Sequence, residues 1–493
     1  MRHYITLVAI LMGLAQTGQA QWYNAQWITG PNPSTLDFRV DTIARFVLPN
    51  SNFNTTITDA NICDSLGNLL FITNGINIYD YRGDMVPNGD SLSPCYWTNV
   101  RFSDGMDIPQ GALFIPVPGK SNRYYLFHFS DDTSNNTRPG TLYYSLLSSE
   151  NDSVSVIRKN VIFCKGEFRD GGMTACKHAN GRDCWIVIGG LDNNSFYKFL
   201  LTPDTILGPF VQSIGPSYTG PYDVAYSKFS QDGSKYVTSC YEGLITVMDF
   251  DRCSGEFSNP ITIYNETSTD STISLTGAAS VEFSPNARFI YISNVTNLNQ
   301  YDLQSTNVQD SVRLYTALPN DYAQIGMIQL APNGKLYGCT WNGGFWFFHV
   351  VNHPDSAGLN CNFIYGGQPT SSANSNCLPN MINYNLGSLT NSGCDTIKTD
   401  TTKTGVGLIK ITGNDLLRIM PNPADKYAYV EMGIHGSYEF ELLNATGQLV
   451  DKKETRQVDI FDTEYLASGI YFLRVIDKST NTEAATKKIA VAH

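Results

Sequence analysis

Before residue 392, hydrophobic positions fall in short runs separated by polar turns, and no long stretch follows the 3.6-residue period of a helix. Each run is rich in aliphatic and aromatic residues and follows a polar turn that ends near a glycine. This pattern is typical of short β-strands. Six such units can be marked by one turn residue each: Gly67, Gly119, Gly181, Gly233, Ala287 and Gly334.

The spacing of these six markers indicates the architecture. They lie 52, 62, 52, 54 and 47 residues apart. A repeat near 50 residues with several strands per unit predicts a β-propeller, because four-stranded sheets bury their faces by packing radially. Residues 21–47 and 361–389 could together close one further sheet. We therefore expect six or seven blades, with seven favoured. A series of β-sandwiches remains an alternative, whereas a β-helix would have a shorter repeat.

The pattern changes near residue 393. Residues 393–414 are rich in Thr, Lys and Asp, have no apolar period and are typical of an exposed linker. Short apolar runs separated by turn residues then continue to the C-terminus. Several strands in so few residues predict a small Ig-like β-sandwich over residues 415–493. The passenger before the linker would span residues 21–392.

The first 20 residues have the features of a secretory signal peptide. Arg2 and His3 precede a mostly apolar run from Tyr4 to Leu14, and Gly18 and Ala20 supply small residues before a cleavage point at Gln21. The apolar run is too short to span a bilayer core of about 30 Å. We expect an exported mature chain with no transmembrane segment.

Four C-terminal segments carry a resemblance to a known family: 421–424, 438–450, 466–475 and 487–491. In order, spacing and terminal position they resemble the type A C-terminal sorting domain of the Bacteroidetes type IX secretion system. A generic Ig-like adhesive module is the alternative. The motif positions are Pro421, Asn422, Pro423, Gly447, Gly469, Tyr471 and Lys488.

The resemblance implies a route and a location. The signal peptide would take the chain across the inner membrane, and the type IX machinery would be its partner at the outer membrane. In the family the sorting domain is usually removed, and the passenger is released or attached to the cell surface. Residues 110–119, 177–183 and 329–337 look like the propeller-like passengers found before such domains. That passenger group implies a fold and a surface location, with no single activity.

Composition narrows the classes of partner. Apolar residues make up 42% of the 493, which is ample for a core, and 33 basic against 45 acidic residues give a net charge of −12. A nucleic-acid partner is disfavoured, because binding phosphates needs a basic surface.

Eleven cysteines follow the signal peptide, and export to an oxidising compartment favours disulfides. Loop length makes Cys176–Cys184, Cys240–Cys253 and Cys361–Cys377 plausible pairs, although sequence cannot fix connectivity. The odd count leaves at least one thiol unpaired. Cys394, in the polar linker, is the candidate for that thiol.

Common catalytic and metal-binding motifs are absent from the sequence. There is no H-E-x-x-H, G-x-S-x-G, C-x-x-C, P-loop or G-x-G-x-x-G. A calcium-like start at residues 249–255 lacks a ligand at Cys253. No catalytic residue, metal or cofactor is therefore predicted. Glycosidase or sugar-stacking chemistry is offered by paired carboxylates (Asp104/Asp107, Asp131/Asp132, Glu167/Asp170) and by aromatic rings (Trp22, Trp27, Trp97, Trp341). Solvated loops are the favoured explanation for the carboxylates, and blade packing is the favoured explanation for the rings.

One polar cluster stands out before a strongly apolar strand: Lys177, His178, Asn180, Arg182 and Asp183. Imidazole, ammonium and guanidinium groups together can donate hydrogen bonds to several oxygens of an anionic or hydroxyl-rich ligand. The alternative is that His178 and Asn180 satisfy backbone groups in a tight turn.

These observations predict a secreted or surface-attached β-propeller that binds a glycan or protein without catalysis. An extracellular polysaccharide-degrading enzyme is the second possibility, and a structural or adhesive surface component is the third. A rigid ring that presents loops suits recognition, because little order is lost on binding.

Overall fold

A computed structural model describes residues 22–492 of the chain. The description omits residues 32, 41–42, 51, 101–103, 132–138, 151–152, 219–223, 241–242, 265–279, 319–322, 342, 375, 391, 395–416, 421, 433–436 and 456–457. The predicted signal peptide, nearly all of the predicted linker and Pro421 lie outside the described residues.

The described residues before 370 form seven sheets that follow one another along the chain, mostly as antiparallel meanders. The first sheet contains β1 (Gln26–Pro31), β2 (Ser34–Asp37), β3 (Ala44–Val47) and β4 (Asn54–Thr55). The second contains β5 (Ala60–Cys63), β6 (Leu69–Thr73) and β7 (Ile78–Asp80), and a short helix α1 (Tyr96–Val100) follows it. The third contains β8 (Ala112–Pro116), β9 (Arg123–Asp131), β10 (Pro139–Glu150) and β11 (Ser153–Lys165).

The remaining four sheets repeat the plan. The fourth contains β13 (Thr174–Lys177), β14 (Cys184–Gly189), β15 (Ser195–Leu201) and β16 (Ile206–Ser213). The fifth contains β12 (Asp170–Gly171), β17 (Val224–Phe229), β18 (Lys235–Cys240), β19 (Leu244–Phe250) and β20 (Phe257–Tyr264). The sixth contains β21 (Ser280–Phe283), β22 (Phe289–Ser293), β23 (Asn297–Asp302) and β24 (Ser311–Thr316). The seventh contains β25 (Ile325–Leu330), β26 (Leu336–Thr340), β27 (Phe347–Val351) and β28 (Phe363–Pro369), with a 3-10 helix at Gly358–Cys361.

The six turn markers explain how each meander starts. Each marker from the second sheet to the seventh lies between the first two strands of its antiparallel meander. In the fifth sheet these strands are β17 and β18, because the short β12 pairs with β17 in parallel, and β17 is counted below as the first strand. All six markers have a positive φ, including Ala287 at 57°. Such a φ closes a tight turn and favours glycine, which is why the sequence marks these turns so regularly.

The first strands of neighbouring sheets lie side by side, which is the arrangement of a β-propeller. Strand β1 lies beside β5, β5 beside β8, β13 beside β17, β17 beside β21, and β21 beside β25. The all-β propeller fold predicted from sequence is therefore confirmed. The blade number stays a prediction, because the second sheet has three strands and the fifth has five.

Residues 376–390, here called the axial segment, occupy the space that the first strands enclose. Within this segment Cys377 accepts a hydrogen bond from Thr29 of β1, and the Asn380 amide side chain donates to Ala112 of β8 and to Met173 beside β13. A segment within hydrogen-bond reach of first strands on opposite sides of a ring must run along its axis. The expectation that residues 21–47 and 361–389 share a closing sheet is wrong, because strand β1 starts its own sheet and the axial segment fills the channel.

Burial confirms that the core surrounds this axis. One continuous cluster of buried side chains includes members of all seven first strands or their flanks, together with Leu378, Met381 and Tyr384 of the axial segment. The phenol of Tyr384 donates to the backbone oxygen of Phe114 on β8 at 2.9 Å. In the third sheet the inner edge of β8 pairs with no further strand among the described residues, and Asn380 and Tyr384 satisfy the Ala112 and Phe114 carbonyl groups there, which would otherwise be buried without partners.

The C-terminal residues form a separate two-sheet sandwich with its own buried cluster. One sheet contains β29 (Leu417–Met420), β30 (Tyr427–Met432) and β33 (Val458–Asp462). The other contains β31 (Tyr438–Asn444), β32 (Leu449–Thr455), β34 (Gly469–Asp477) and β35 (Thr482–Val491). Within the described parts of the chain, no helix is long and apolar enough to cross a membrane.

The disulfide pattern differs from the sequence expectation. Cys394 is paired with Cys253, with their Cα atoms 5.7 Å apart, so the prediction that Cys394 is the unpaired thiol is wrong. The three pairs suggested by loop length are also wrong, since Cys176, Cys184, Cys240, Cys361 and Cys377 are not disulfide-bonded in the described part of the chain. The bond closes 141 residues of sequence, a separation that no local spacing rule would select.

Candidate functional site

The predicted polar cluster forms the turn between β13 and β14. The side-chain oxygen of Asn180 accepts hydrogen bonds from the backbone N–H groups of Arg182 and Asp183. The Asp183 carboxylate in turn accepts from the Asn180 amide at 2.8 Å and from the Arg182 guanidinium at 2.7 Å. These polar groups stabilise the turn itself.

His178 has a partner at each ring nitrogen. Its Nδ1 accepts from the backbone N–H of Asn180 at 3.0 Å, so Nε2 carries the proton and donates to the backbone oxygen of Cys253 at 3.1 Å. With both nitrogens engaged, the imidazole has no free donor or acceptor for a ligand in this arrangement.

The same turn holds the end of the axial segment. Buried Arg252 donates to the backbone oxygens of Lys177, His178 and Gly387, and Leu389 donates its N–H to Ala179. A Cβ at Gly181 would lie 2.5 Å from the Ser388 nitrogen, so this close contact requires glycine. These contacts hold the chain in place where it leaves the channel, and we call this group of residues the anchor. Ligand binding by Lys177, His178, Asn180, Arg182 and Asp183 stays a prediction.

A cavity lies beside this anchor, at one end of the axis. It opens through a half-buried rim and measures about 550 Å³ including the space open to solvent. Its lining comes from the first strands of five sheets and from the axial segment. We call it the axial cavity. The polar side chains that matter most for its chemistry are Trp27 of β1, Lys228 of β17, Glu282 of β21 and Gln329 of β25.

Lys228, Glu282 and Gln329 form one buried polar group. The Lys228 ammonium donates to Gln329 Oε1 at 2.8 Å and lies 3.8 Å from a Glu282 carboxylate oxygen. The same carboxylate accepts the backbone N–H groups of Phe283 at 2.9 Å and Leu330 at 3.1 Å. All three side chains are at least nine-tenths buried. The two charges therefore balance each other within the core.

Two residues that line the axial cavity carry buried donors without partners. Among the described residues, neither the indole N–H of Trp27 nor the side-chain NH₂ of Gln329 has a hydrogen-bond partner. The two residues are 1% and 2% exposed. A buried donor without a partner costs about 1–3 kcal/mol, so such groups are normally paired with water or a ligand.

Burial shifts both charged groups toward neutrality. It lowers the pKa of Lys228, and the Glu282 carboxylate opposes this change. It raises the pKa of Glu282, which Lys228 and the two backbone N–H groups oppose. Each group thus depends on the other to remain charged.

The other sequence candidates do not converge on the axial cavity. Asp104 and Glu167 are exposed, and Asp107 and Asp170 are half-buried, but none of the four lines it. Asp132 and the side chains of Asp131 and Trp97 are not described. Of the remaining tryptophans, only Trp27 lines this cavity. The calcium-like loop is a turn in which Asp251 accepts from the Cys253 N–H and the Ser254 hydroxyl. No metal-binding cluster of His, Cys, Asp or Glu occurs within the residues that are described.

Sequence reasoning missed the axial residues, although the repeat contained a signal for them. The residue five positions before each turn marker occupies the same place near the end of a first strand. Those residues are Ile62, Phe114, Cys176, Lys228, Glu282 and Gln329, all buried. In three consecutive repeats this position holds a polar residue, namely Lys228, Glu282 or Gln329. In the other three repeats the same position holds an apolar or sulfur-containing residue. Counting back from the markers would have identified the site.

The described sorting motif residues stabilise the C-terminal sandwich through contacts and turns within it. Asn422 donates to the Lys488 backbone oxygen at 2.9 Å and accepts the Ala490 N–H at 2.8 Å, which attaches the first motif segment to the last strand. Pro423 follows it, and Gly447 has a φ of 82° in the β31–β32 turn. Gly469 begins β34, and the Tyr471 hydroxyl donates to the Ala467 oxygen.

Comparison with protein families identifies the C-terminal sandwich. Residues 418–492 match the secretion system C-terminal sorting domain. This match supports the assignment of the chain as a type IX secretion cargo that is secreted or displayed at the cell surface. It covers only the C-terminal sandwich and carries no information on the ligand of the propeller.

The propeller has distant structural neighbours. A proposed 6-phosphogluconolactonase from Bacteroides uniformis is 13% identical, with a TM-score of 0.43 over 72% of this chain and 99% of that one. A second, from Bacteroides fragilis, is 12% identical, with a TM-score of 0.44 over 72% and 98%. The Cps50 (Swd1) β-propeller domain from Myceliophteria thermophila is 10% identical, with a TM-score of 0.35 over 64% and 90%. No curated protein matches the chain. These similarities indicate no activity.

Proposed function

We propose that this chain is an exported β-propeller that binds a glycan or protein ligand without transforming it, and that the axial cavity is the binding site. The observation that carries the proposal is a cavity at the end of the channel whose lining includes Lys228 and two residues with unpartnered buried donors, Trp27 and Gln329. Since the lining belongs to first strands and the core, the site is preorganised and loses little entropy on binding.

The chemistry of the axial cavity favours binding over hydrolysis. Glycosidases commonly place two carboxyl groups on opposite sides of the scissile bond. Among the described lining residues, Glu282 supplies the single carboxyl group, and it is engaged by Lys228 and two backbone N–H groups. A polysaccharide-degrading enzyme is therefore the second candidate function, and a structural or adhesive surface role is the third.

We also propose the export route. Residues 1–20 would direct passage across the inner membrane, and residues 415–493 would be read by the type IX machinery, through Pro421, Asn422, Pro423, Gly447, Gly469, Tyr471 and Lys488. The mature product would then be the passenger 21–392 with part of the linker.

Deleting residues 415–493 is expected to abolish export while leaving the passenger folded, because the sandwich has a buried cluster of its own. Cell fractionation and protease accessibility at the surface measure the result, with the full chain as control. Equal amounts of both proteins outside the cell would refute the proposed sorting role.

Replacing Trp27 with phenylalanine is expected to weaken ligand binding at least about tenfold, with a loss of about 1–3 kcal/mol in stability because the smaller ring leaves space in the core. The substitution removes an N–H without an intramolecular partner and retains a ring against Phe38 and Tyr337. A polysaccharide screen on the chain lacking residues 1–20 should score bound protein and released reducing ends together, and the best ligand is then titrated.

The matched control is Trp185→Phe. Trp185 does not line the axial cavity, and its N–H donates to the Arg252 backbone oxygen, so this variant should lose stability and keep its affinity. Release of reducing ends by the parent protein would replace the binding proposal with the enzyme. Equal affinity of Trp27→Phe and the parent would remove the axial cavity as the site.

A further inference from the structure

The chain runs over the surface of the propeller after it leaves the channel, and the disulfide between Cys253 and Cys394 holds the end of this stretch. We call residues 385–390 and 392–394 the strap. Residues 387–390 are exposed, whereas most of the earlier residues of the axial segment are buried. The strap therefore lies outside the core, and its last residue is covalently bound to the turn between β19 and β20.

Besides the disulfide, contacts at the anchor hold the strap. Arg252 donates to the Gly387 backbone oxygen, and the Leu389 N–H donates to Ala179. An exposed segment that is held mainly by backbone hydrogen bonds, with few buried apolar contacts, opens locally at a cost well below that of global unfolding. The disulfide is therefore the bond that keeps the strap on the propeller.

Leu386 connects the strap to the axial cavity. A Cβ at Gly233 would lie 2.8 Å from Leu386 Cδ2 and 2.7 Å from the Cys176 sulfur, so both side chains pack against the same glycine. Both residues also line the axial cavity. Burial raises the pKa of the Cys176 thiol, which makes it unreactive while Leu386 stays in place. Displacement of the strap would remove this part of the cavity wall and expose Cys176.

The same disulfide is the bond that a reductant can reach. Cys253 and Cys394 are both half-buried. The other nine cysteines are not disulfide-bonded in the described part of the chain, and eight of them are buried. A dithiol would attack one sulfur of the pair as a thiolate, break the S–S bond and form a mixed disulfide, which its second thiol then resolves. The products are the thiols of Cys253 and Cys394 and the oxidised, cyclic form of the reductant.

We propose that the Cys253–Cys394 disulfide is a redox-controlled latch on the axial cavity: reduction by a dithiol releases the strap, moves Leu386 out of the cavity wall and opens the cavity, while the ring stays folded. The ligand then exchanges faster in the reduced protein than in the oxidised protein. This last consequence rests on the proposed function of the axial cavity as the binding site, whereas release of the strap can be measured without any ligand.

The test measures the rate at which a maleimide labels each thiol of the chain lacking residues 1–20, before and after reduction with dithiothreitol, with the label located by peptide mass spectrometry. Reduction should make Cys253 and Cys394 reactive and accelerate labelling of Cys176 at least about tenfold. Cys339 is the internal control, because it does not line the axial cavity and burial raises its pKa to about 12. Its labelling rate should change less than about twofold.

Three results would overturn the latch. The first is a bond that resists dithiothreitol. The second is reduction of the bond without any change at Cys176, which would mean that the strap stays in place on its own. The third is equal acceleration at Cys176 and Cys339, which would mean that reduction unfolds the ring.

Variants provide the same comparison without a reductant. Cys394→Ser should label at Cys176 as fast as the reduced parent, and the parent measurement remains decisive if this variant fails to fold. Leu386→Ala, with the disulfide intact, should accelerate labelling of Cys176 because it removes the side chain that packs beside it. The matched control is Leu389→Ala, since Leu389 is an exposed leucine of the same strap and does not line the axial cavity. Equal rates for the two leucine variants would contradict the role of Leu386.

The outcomes separate the latch from the proposed function. A polysaccharide found in the screen should dissociate at least about tenfold faster from the reduced protein than from the oxidised protein. If Cys176 opens on reduction but the screen finds no ligand, the latch stands and the binding function falls. If a ligand binds and reduction changes neither Cys176 labelling nor ligand dissociation, the latch falls and the binding function stands.

Discussion

Replacing Asn380 with alanine is expected to lower the free energy of unfolding of the propeller by about 3–5 kcal/mol. The buried Asn380 amide donates to the backbone oxygens of Ala112 and Met173 at 2.9 Å each, and its oxygen accepts from Gln110 at 3.3 Å. The substitution leaves the Ala112 and Met173 oxygens without this donor, whereas Gln110 still donates to the Ser227 oxygen. It also opens a space between first strands of the third and fourth sheets. Each orphaned group contributes about 1–3 kcal/mol to the loss.

Denaturant unfolding of the chain, followed by tryptophan fluorescence, measures this loss. Asn383→Ala is the matched control, because Asn383 lies in the same axial segment but is half-buried, and its side chain donates to Gln231 and accepts from Asn385. We expect the control to lose less than about 1.5 kcal/mol. Equal losses for the two variants would contradict the view that the axial segment stabilises the ring through its buried contacts.

Replacing Lys228 with methionine is expected to destabilise the propeller by about 3–5 kcal/mol at pH 7, since Glu282 would remain buried without its cation. The double variant Lys228→Met with Glu282→Gln should recover most of the loss, because a neutral amide can keep one of the backbone contacts without a charge. Thermal and denaturant unfolding of the two single variants and the double variant form a complete cycle.

The loss in Lys228→Met should depend on pH in a defined direction. Burial already raises the pKa of Glu282, and removal of Lys228 raises it further. A carboxyl group with a raised pKa in the folded state contributes full stability below its unfolded pKa, about 4.3, and stability is lost as pH rises through the folded value. The variant should therefore be closer to the parent at pH 4 than at pH 7. An equal difference at both pH values would show that lost packing, and not charge, causes the effect.

The repeat was predictable because it depends on local chemistry. Each marker closes a turn that requires a positive φ, and the sequence records this requirement as glycine in five of six units. Ala287 is the exception, and the surrounding turn residues still identified its unit. Position relative to the marker also fixes which residue of a first strand faces the axis, so Lys228, Glu282 and Gln329 were within reach of sequence analysis.

The axial segment could not be predicted in this way. Its contacts join Asn380 to Ala112 and Met173, which are far away in sequence. In addition, residues 376–390 have no strand or helix period that would indicate a central position. The polar cluster around His178 shows a related limit of sequence analysis. The structure supplies hydrogen-bond partners for His178 from Cys253 and from the turn itself, which the sequence could not reveal, and ligand binding by the cluster stays a prediction.

The disulfide between Cys253 and Cys394 determines how mechanical force would travel through the protein. If a secretion machine pulls on the C-terminal sandwich, tension enters the passenger at Cys394 and passes through the covalent bond to Cys253, in the turn between β19 and β20 of the fifth sheet. The axial segment lies N-terminal to Cys394 and is bypassed by this load. The axial segment would then stay inside the ring while the machine pulls. Without the bond, the same force would act directly on residues 376–390 and draw them out of the ring.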